Sequence, residues 1–444
     1  MQKNYLTNWE RLQVEIRQAQ EEGKEIKNYF LDKIKAIEDE EDSVRERYAG
    51  VLLDELISLP IKKDYPYVEP NSLEEIKRNR TEGLRRVDVN INEEELYNKI
   101  YGAWLGRIAG MWLGQPFEGF GMSKGKDGIK DFLKHIEKWP LEEYIDFTVV
   151  DEEIFEKYGF DKRFKNYSYD TGHALEDDDI NYTVLNLEIL KTYGPNFTSE
   201  DVAEGWLKNL PIFRTYTAER VAYSNLCQLI MPPQSAIYRN PYREWIGAQI
   251  RADLWGYVNP GNMEKAAEYA LRDASISHTK NGIYGEMFVA AMVAASFIME
   301  DPVKIIEAGL REIPDNCRLY HAIQDVLKWS REEKDWESCL NLIYKNYGHY
   351  NAVHTINNAC IVALALLYGE GDFGKSIGIA VMGGWDTDCN AATVGSIMGA
   401  MLGEKRIPEK WKKPVRDTVE TGIIGYGKVK VSDLAKLTLG LSKN

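Results

Sequence analysis

Histidine is sparse. The chain of 444 residues holds six, His135, His173, His278, His321, His349 and His354, and they do not form a set in motif spacing. That argues against a phosphohydrolase or other hydrolase built on histidine motifs. Cysteine is sparse too: five residues, an odd number, without a CxxC pair and with Cys227, Cys317 and Cys360 inside apolar stretches. Such usage fits reduced thiols and a cytoplasmic compartment, and it offers no zinc pattern. Long apolar runs are missing; the longest, Met287 to Met299, is too short to cross a bilayer and reads as a buried helix. The opening MQKNYLTNWERLQ lacks a basic stretch followed by an apolar core, so no signal peptide is expected. Positive charge is in deficit, 55 Lys and Arg against 70 Asp and Glu, a formal net charge of -15. A surface of that sign repels nucleic acid and anionic membrane, and neither is expected as a partner.

What is present is a globular composition, 44% hydrophobic and 11% aromatic. Residues 1–90 read as a charged helical extension with a break at Gly23, followed by a proline-bearing connector. A main domain over 91–444 follows. Asn92, with Glu95 three residues on, has the form of a capping box that opens a helix. Inside that helix Gly102, Gly106, Gly110 and Gly114 recur every four residues. Glycine weakens a helix, so such a stripe signals another backbone in close approach. A loop-rich part extends to about residue 174, and helical patterns punctuated by Gly, Pro or Asn fill the remainder. Strand-like alternation is scarce, with short irregular strands admissible only in 121–170 or 421–432. The fold class is all-α, a single main helical domain with an N-terminal helical extension.

Two acidic clusters carry the chemistry. LEDDDINYT begins with four successive carboxylates, Glu176 to Asp179, at the start of an amphipathic helix. Acids at a helix N-terminus are favourable, but packed this closely they repel one another unless a cation or hydrogen-bond donors absorb the charge. The second cluster, GGWDTDCNAA, places Asp386 and Asp388 two residues apart after a glycine pair and before a helix of small residues. Read alone, each cluster is either a solvated cap or half of a metal site. Taken together, carboxylates from two helix starts can bracket one or two hard divalent cations such as Mg²⁺ or Mn²⁺.

Three stretches, GAWLGRIAGMWLGQPFEG, LEDDDINYTVLNLEIL and GGWDTDCNAATVGSIMGAMLG, together resemble the ADP-ribosylglycohydrolase family, also called the dinitrogenase-reductase-activating glycohydrolase-like family. The resemblance covers about residues 95 to 405. It implies a compact all-α fold with a binuclear Mg²⁺ or Mn²⁺ centre that cleaves the bond at the anomeric carbon of ADP-ribose. The substrate implied is an ADP-ribosylated protein or a related small ribosyl or nucleotide compound. Carried onto this chain, the metal ligands are Glu176, Asp177, Asp178, Asp386, Asp388 and Cys389. Asp177, Asp178 and Glu118 are the catalytic carboxylates, and His278 borders the ligand.

This sequence departs from the family pattern at four places: Met111 stands for an aspartate, Glu176 and Asp179 for threonines, and Cys389 for a ligand threonine. A thiol is a poor ligand for Mg²⁺ and a better one for softer ions, so the identity of the second metal stays open. Tyr238, Arg239, Arg243, Trp245, Arg251 and Trp255 form a polar-aromatic block suited either to a nucleotide diphosphate or to a core whose arginines balance nearby acids. The N–H groups of Asn281 and Gly282 are placed to meet an anion at a helix start. The functional expectation is a metal-dependent glycohydrolase acting on an N- or O-ribosyl bond. A non-catalytic ADP-ribose-binding module and a different carboxylate-metal hydrolase remain the alternatives.

Overall fold

Asn92 opens the central helix. Its Oδ1 accepts the Glu95 N–H at 2.9 Å, and the helix runs Glu93–Gly114. Only half of the expected box forms, because the Glu95 carboxylate receives the Asn98 amide. The computed structural model describes residues 5–88, 91–165 and 167–443, so the expected boundary at residue 90 lies outside the described residues. The glycine stripe packs as its spacing predicts, antiparallel against a second helix, Thr387–Leu402. Gly102, Gly106, Gly110 and Gly114 face the backbones of Gly399, Gly395, Ala391 and Thr387 in turn. A Cβ at Gly106 would overlap the Gly395 carbonyl, and one at Gly395 would overlap the Gly106 carbonyl. With no side chains between them, the two helices run with their backbones in contact, and the register is fixed along the whole interface.

Other helices surround this pair. Asp178–Tyr193 ends at Gly194, whose φ of 72° no β-carbon residue adopts cheaply. Asn281–Ser296 is buried along its whole length, as the apolar run predicts. The architecture is all-α; among the described residues the one two-stranded sheet pairs Thr418–Glu420 with Lys428–Lys430, antiparallel. The expectation of loop up to residue 174 needs correction. A helix, Glu118–His135, follows the glycine helix directly and carries a bend at Gly125, where φ is 61°. It buries Phe120, Ile129, Phe132 and Leu133. Burial of that apolar face against the aromatic cluster of Phe117, Phe147 and Phe160 outweighs the cost of its glycines.

The N-terminal extension forms three helices, Asn8–Glu21, Asn28–Ala36 and Asp42–Ile57, around a small core of Leu12, Phe30, Leu53 and Leu56. The first helix stops at Gly23 (φ 77°), the predicted break. The extension docks through buried charge. Arg243 donates to Glu15 at 2.6 Å and to Glu22 at 2.7 Å. Arg318 bridges Glu69 of the connector, at 2.9 Å, and Glu244, at 2.7 Å. Removing one member of such a network leaves a buried charge without a partner, the costly half of the comparison.

Glu21 at this seam is the weak point. Burial, then repulsion from Glu244, pushes its carboxyl up to about 7 despite Arg17 and Arg318 nearby. His354, whose Nε2 lies 3.8 Å away, is pushed down to about 3 by burial and gives no counter-charge at neutral pH. A carboxyl raised in the folded state favours folding below its ordinary value, and that contribution is lost as pH rises through about 7. Glu21→Gln is therefore expected to leave unfolding free energy unchanged near pH 4.5 and to raise it by about 1–2 kcal/mol near pH 8. Urea denaturation of both proteins at the two pH values checks this.

Candidate metal centre

The register of the glycine pair decides where the acids meet. It sets Thr387, at the start of one helix, beside Gly114, at the end of the other, and Thr387 Oγ1 donates to the Gly114 carbonyl at 2.8 Å. Glu118, one turn beyond Gly114, thus lies next to Asp386 and Asp388. The loop that delivers those aspartates takes the unusual path its glycines permit: φ is 78° at Gly384 and 58° at Trp385. Trp385 is held by stacking on Tyr344, with ring centroids 4.1 Å apart, and Tyr344 OH donates to the Gly383 carbonyl at 2.8 Å. Asn358 Oδ1 accepts both the Asp386 N–H (3.2 Å) and the Asn390 amide (2.8 Å).

The acidic helix approaches from the other side. Asp177 caps it, accepting the Asp179 N–H on Oδ1 at 3.1 Å. Its Oδ2 takes the Gln115 amide at 2.8 Å, and Gln115 is in turn fixed by Tyr167 OH at 2.6 Å. Asp178, expected as a ligand, lies within charge reach of the same acids but belongs to neither group of clustered ligand atoms. Burial raises its pKa well above the ordinary range, followed by repulsion from Asp177, Asp179, Glu118 and Asp386. Asp388 is raised by burial and then by Glu118 and Asp177. Burial, Asp386 and Asp177 push Glu118 up to about 8. The two distant clusters form one crowded pool of negative charge.

Oxygens of Glu118, Asp386 and Asp388 all lie within 4.8 Å of one another, and so do ligand atoms of Asp179, Asp388 and Cys389. Asp388 belongs to both groups. Whether cations fit there is decided by three orphans. Asp386 Oδ1, Asp388 Oδ1 and Asp179 Oδ2 are buried without a hydrogen-bond partner among the described residues. Unpaired carboxylate oxygens in an interior are strongly disfavoured, and a divalent ion satisfies them. The donor set fits.

The remaining sequence-predicted residues have other surroundings. Glu176 turns from the well: Arg214 meets one oxygen at 2.8 Å and Asn181 the other at 3.0 Å. Arg239 makes a two-point pair with Asp54 of the extension at 2.9 and 2.7 Å, beneath the half-exposed Tyr238 ring. The anion expected at the Asn281 N–H is the chain's own Glu244, at 3.1 Å. Gly282 packs against the Arg243 carbonyl. His278 is buried, Nδ1 is 2.8 Å from Ser277 Oγ, and burial beside Arg251 holds the ring neutral. Within the block 238–261 the arginines balance acids: Arg243 as described, and Arg251 with Asp273 at 2.9 Å and Glu219 at 3.1 Å.

Sequence reasoning passed over several groups. Arg107 sits fully buried in the glycine helix, donating to Asp179 at 3.0 Å and standing 2.7 Å from an oxygen of Asp253 as an ion pair. Tyr216 lies at the rim, pushed up to about 12 by burial and then by Asp178 and Asp177. Tyr5, from the extension, is within charge reach of Glu118 and Asp178. Only the arginine left a signal, a charge in an otherwise apolar helix.

The sequence model described as ADP-ribosylglycohydrolase matches residues 92–441. The chain belongs to the ADP-ribosylglycohydrolase family. Among solved structures, an ADP-ribosylglycohydrolase-related protein complex is similar at 17% identity, with a TM-score of 0.47 over 79% of this chain and 99% of that one. No curated protein matches the chain in sequence. The extension lies ahead of the matched family region.

Proposed function

We propose that the chain is a metal-dependent glycohydrolase that cleaves an N- or O-ribosyl bond of an ADP-ribosylated protein or of a related ribosyl nucleotide. The observation that supports this reading is the meeting of Glu118, Asp386, Asp388, Asp179 and Cys389 in one well, with carboxylate oxygens left over. A cleft of about 440 Å³ opens beside Glu118, lined by Phe120, Phe160, Arg163 and Phe164. Its size suits a nucleotide-sized ligand, and its Arg163, paired with Asp161 at 3.1 Å, is the cation that lines it.

When bound, divalent ions supply Lewis-acid charge and make water a better nucleophile at neutral pH. The chain's carboxylates do the rest. Asp177, fixed by Gln115 and the Asp179 N–H, orients the water; Asp178, its pKa raised by burial and then by its acidic neighbours, takes the water's proton as it attacks the anomeric carbon. Positive charge develops on the sugar as the bond to the leaving group breaks, and the surrounding carboxylates stabilise it. Glu118, at the junction of cleft and well, would hold an ion together with Asp386 and Asp388, and the leaving group takes its proton from solvent.

The test is incubation with a panel of ADP-ribosylated peptides and small ribosyl nucleotides, with Mg²⁺ or Mn²⁺ and with EDTA, following ribosyl release by chromatography. Release that EDTA abolishes is expected. Binding of ADP-ribose measured by calorimetry, with no release from any member, overturns hydrolysis and leaves a recognition module.

A further inference from the structure

The geometry points to a sulfur-bearing cation position inside the well, with Asp179 Oδ2, Asp388 Oδ1 and Cys389 Sγ as its ligands, so that the centre prefers a transition metal to Mg²⁺. This deepens the metal-centre reading and rests on it. The residues are buried, with fractional exposures of 0%, 2% and 7%. Ligand atoms from all three lie within 4.8 Å of one another, the span covered by ligands about 2.0–2.4 Å from one ion. Two of the three side chains carry an oxygen without a partner among the described residues.

Arg107 does not account for Asp179. Its guanidinium holds Asp179 Oδ1 at 3.0 Å and leaves Oδ2 bare. It also has a second counter-ion in Asp253, at 2.7 Å, and Thr183 Oγ1 anchors its Nε at 2.8 Å. One buried cation thus faces Asp179 and Asp253, and Asp388 adds a further carboxylate across the well. Negative charge is in surplus where water cannot screen it. Arg107 acts as a positioning residue, clamping one oxygen of Asp179 so that the other stays aimed at the ion.

Sulfur then sets the preference. On ligation the Cys389 S–H bond breaks, the proton leaves to solvent, and the sulfur lone pair forms the metal bond. Thiolate suits Zn²⁺, Co²⁺ and Fe²⁺ and is a poor match for Mg²⁺, which prefers oxygen. The position formed by Glu118, Asp386 and Asp388 is all oxygen and suits a harder ion. The two positions differ in kind, and Asp388 joins them.

The test uses the full chain stripped with EDTA and titrated with Co²⁺. A sulfur-to-cobalt charge-transfer band in the near ultraviolet is expected. Cys389→Thr and Cys389→Ser should lose the band while still binding Co²⁺, and the ratio of Co²⁺ to Mg²⁺ affinity by calorimetry should fall about tenfold or more. Folding of each variant is checked by circular dichroism, and having both guards against one failing to fold. The other four cysteines stay in place, so a band that survives in both variants arises from them and overturns the inference. Co²⁺ binding to the wild type without the band also overturns it, while the metal centre stands. Failure of the wild type to bind any divalent ion overturns both.

Discussion

Asp388→Asn is expected to lower turnover about 10³-fold, roughly 4 kcal/mol of transition-state stabilisation, and at the same time to make the metal-free protein more stable. The two effects share one cause. Asp388 stands in both ligand groups, so the amide disturbs both cation positions at once. Without metal, however, its charge is a liability: burial and then Glu118, Asp177 and Asp386 all oppose its ionisation. The isosteric amide removes that repulsion and keeps the volume. A gain of about 1–3 kcal/mol in the metal-free state follows. In the wild type, saturating divalent ion raises the melting temperature by mass action, and in the variant that rise should largely disappear. Calorimetric melting with EDTA and with Mn²⁺, paired with steady-state kinetics, separates the terms. A variant that loses stability in EDTA contradicts the picture of a strained acidic pool.

Gly106→Val is expected to prevent folding, at a cost of at least about 4–5 kcal/mol. A β-carbon at Gly106 runs into the Gly395 carbonyl, and backbone, unlike a side chain, has no rotamer to yield. The helices would have to separate along their whole contact, because Gly102, Gly110 and Gly114 are seated against backbone in the same way. Even alanine, which favours helix by about 1 kcal/mol over glycine, should destabilise here, since overpacking costs more than that propensity returns. Soluble yield and guanidinium denaturation measure the effect. Glycine at position 119, where an added Cβ meets nothing within 4 Å, is the control: Gly119→Ala should not destabilise and should add up to about 1 kcal/mol through helix propensity.

The parts of this molecule that were legible in the sequence are those with local cause. Four glycines at a spacing of four can only be a close-packed helix face, and the GGWD turn followed by small residues marks an aspartate pair driven into an interior. The helix Glu118–His135 was not legible because glycines at 119, 121, 125 and 128 obscure its period, and its reason for existing is a cluster of phenylalanines supplied by later segments. The surroundings of Glu176 and Arg239 were hidden for a different reason. A carboxylate or a guanidinium looks the same in sequence whether it meets a ligand or a partner such as Arg214 or Asp54, and only the fold chooses. Tyr5, near the opposite end of the chain, comes within charge reach of Glu118 and Asp178 with no local sign of doing so.

The antiparallel glycine interface behaves like a vernier. A slip of one stripe position, four residues, would carry one helix about 6 Å along the other, more than the 4.8 Å that bounds either ligand group. Mesh between two backbones admits only the seated positions, so the aspartates arrive at Glu118 in one alignment or not at all. The distance from Glu118 to Asp386 and Asp388 is thereby set by the helix pair alone, and the chain between the helices has only to bring Asp179 to a well already formed.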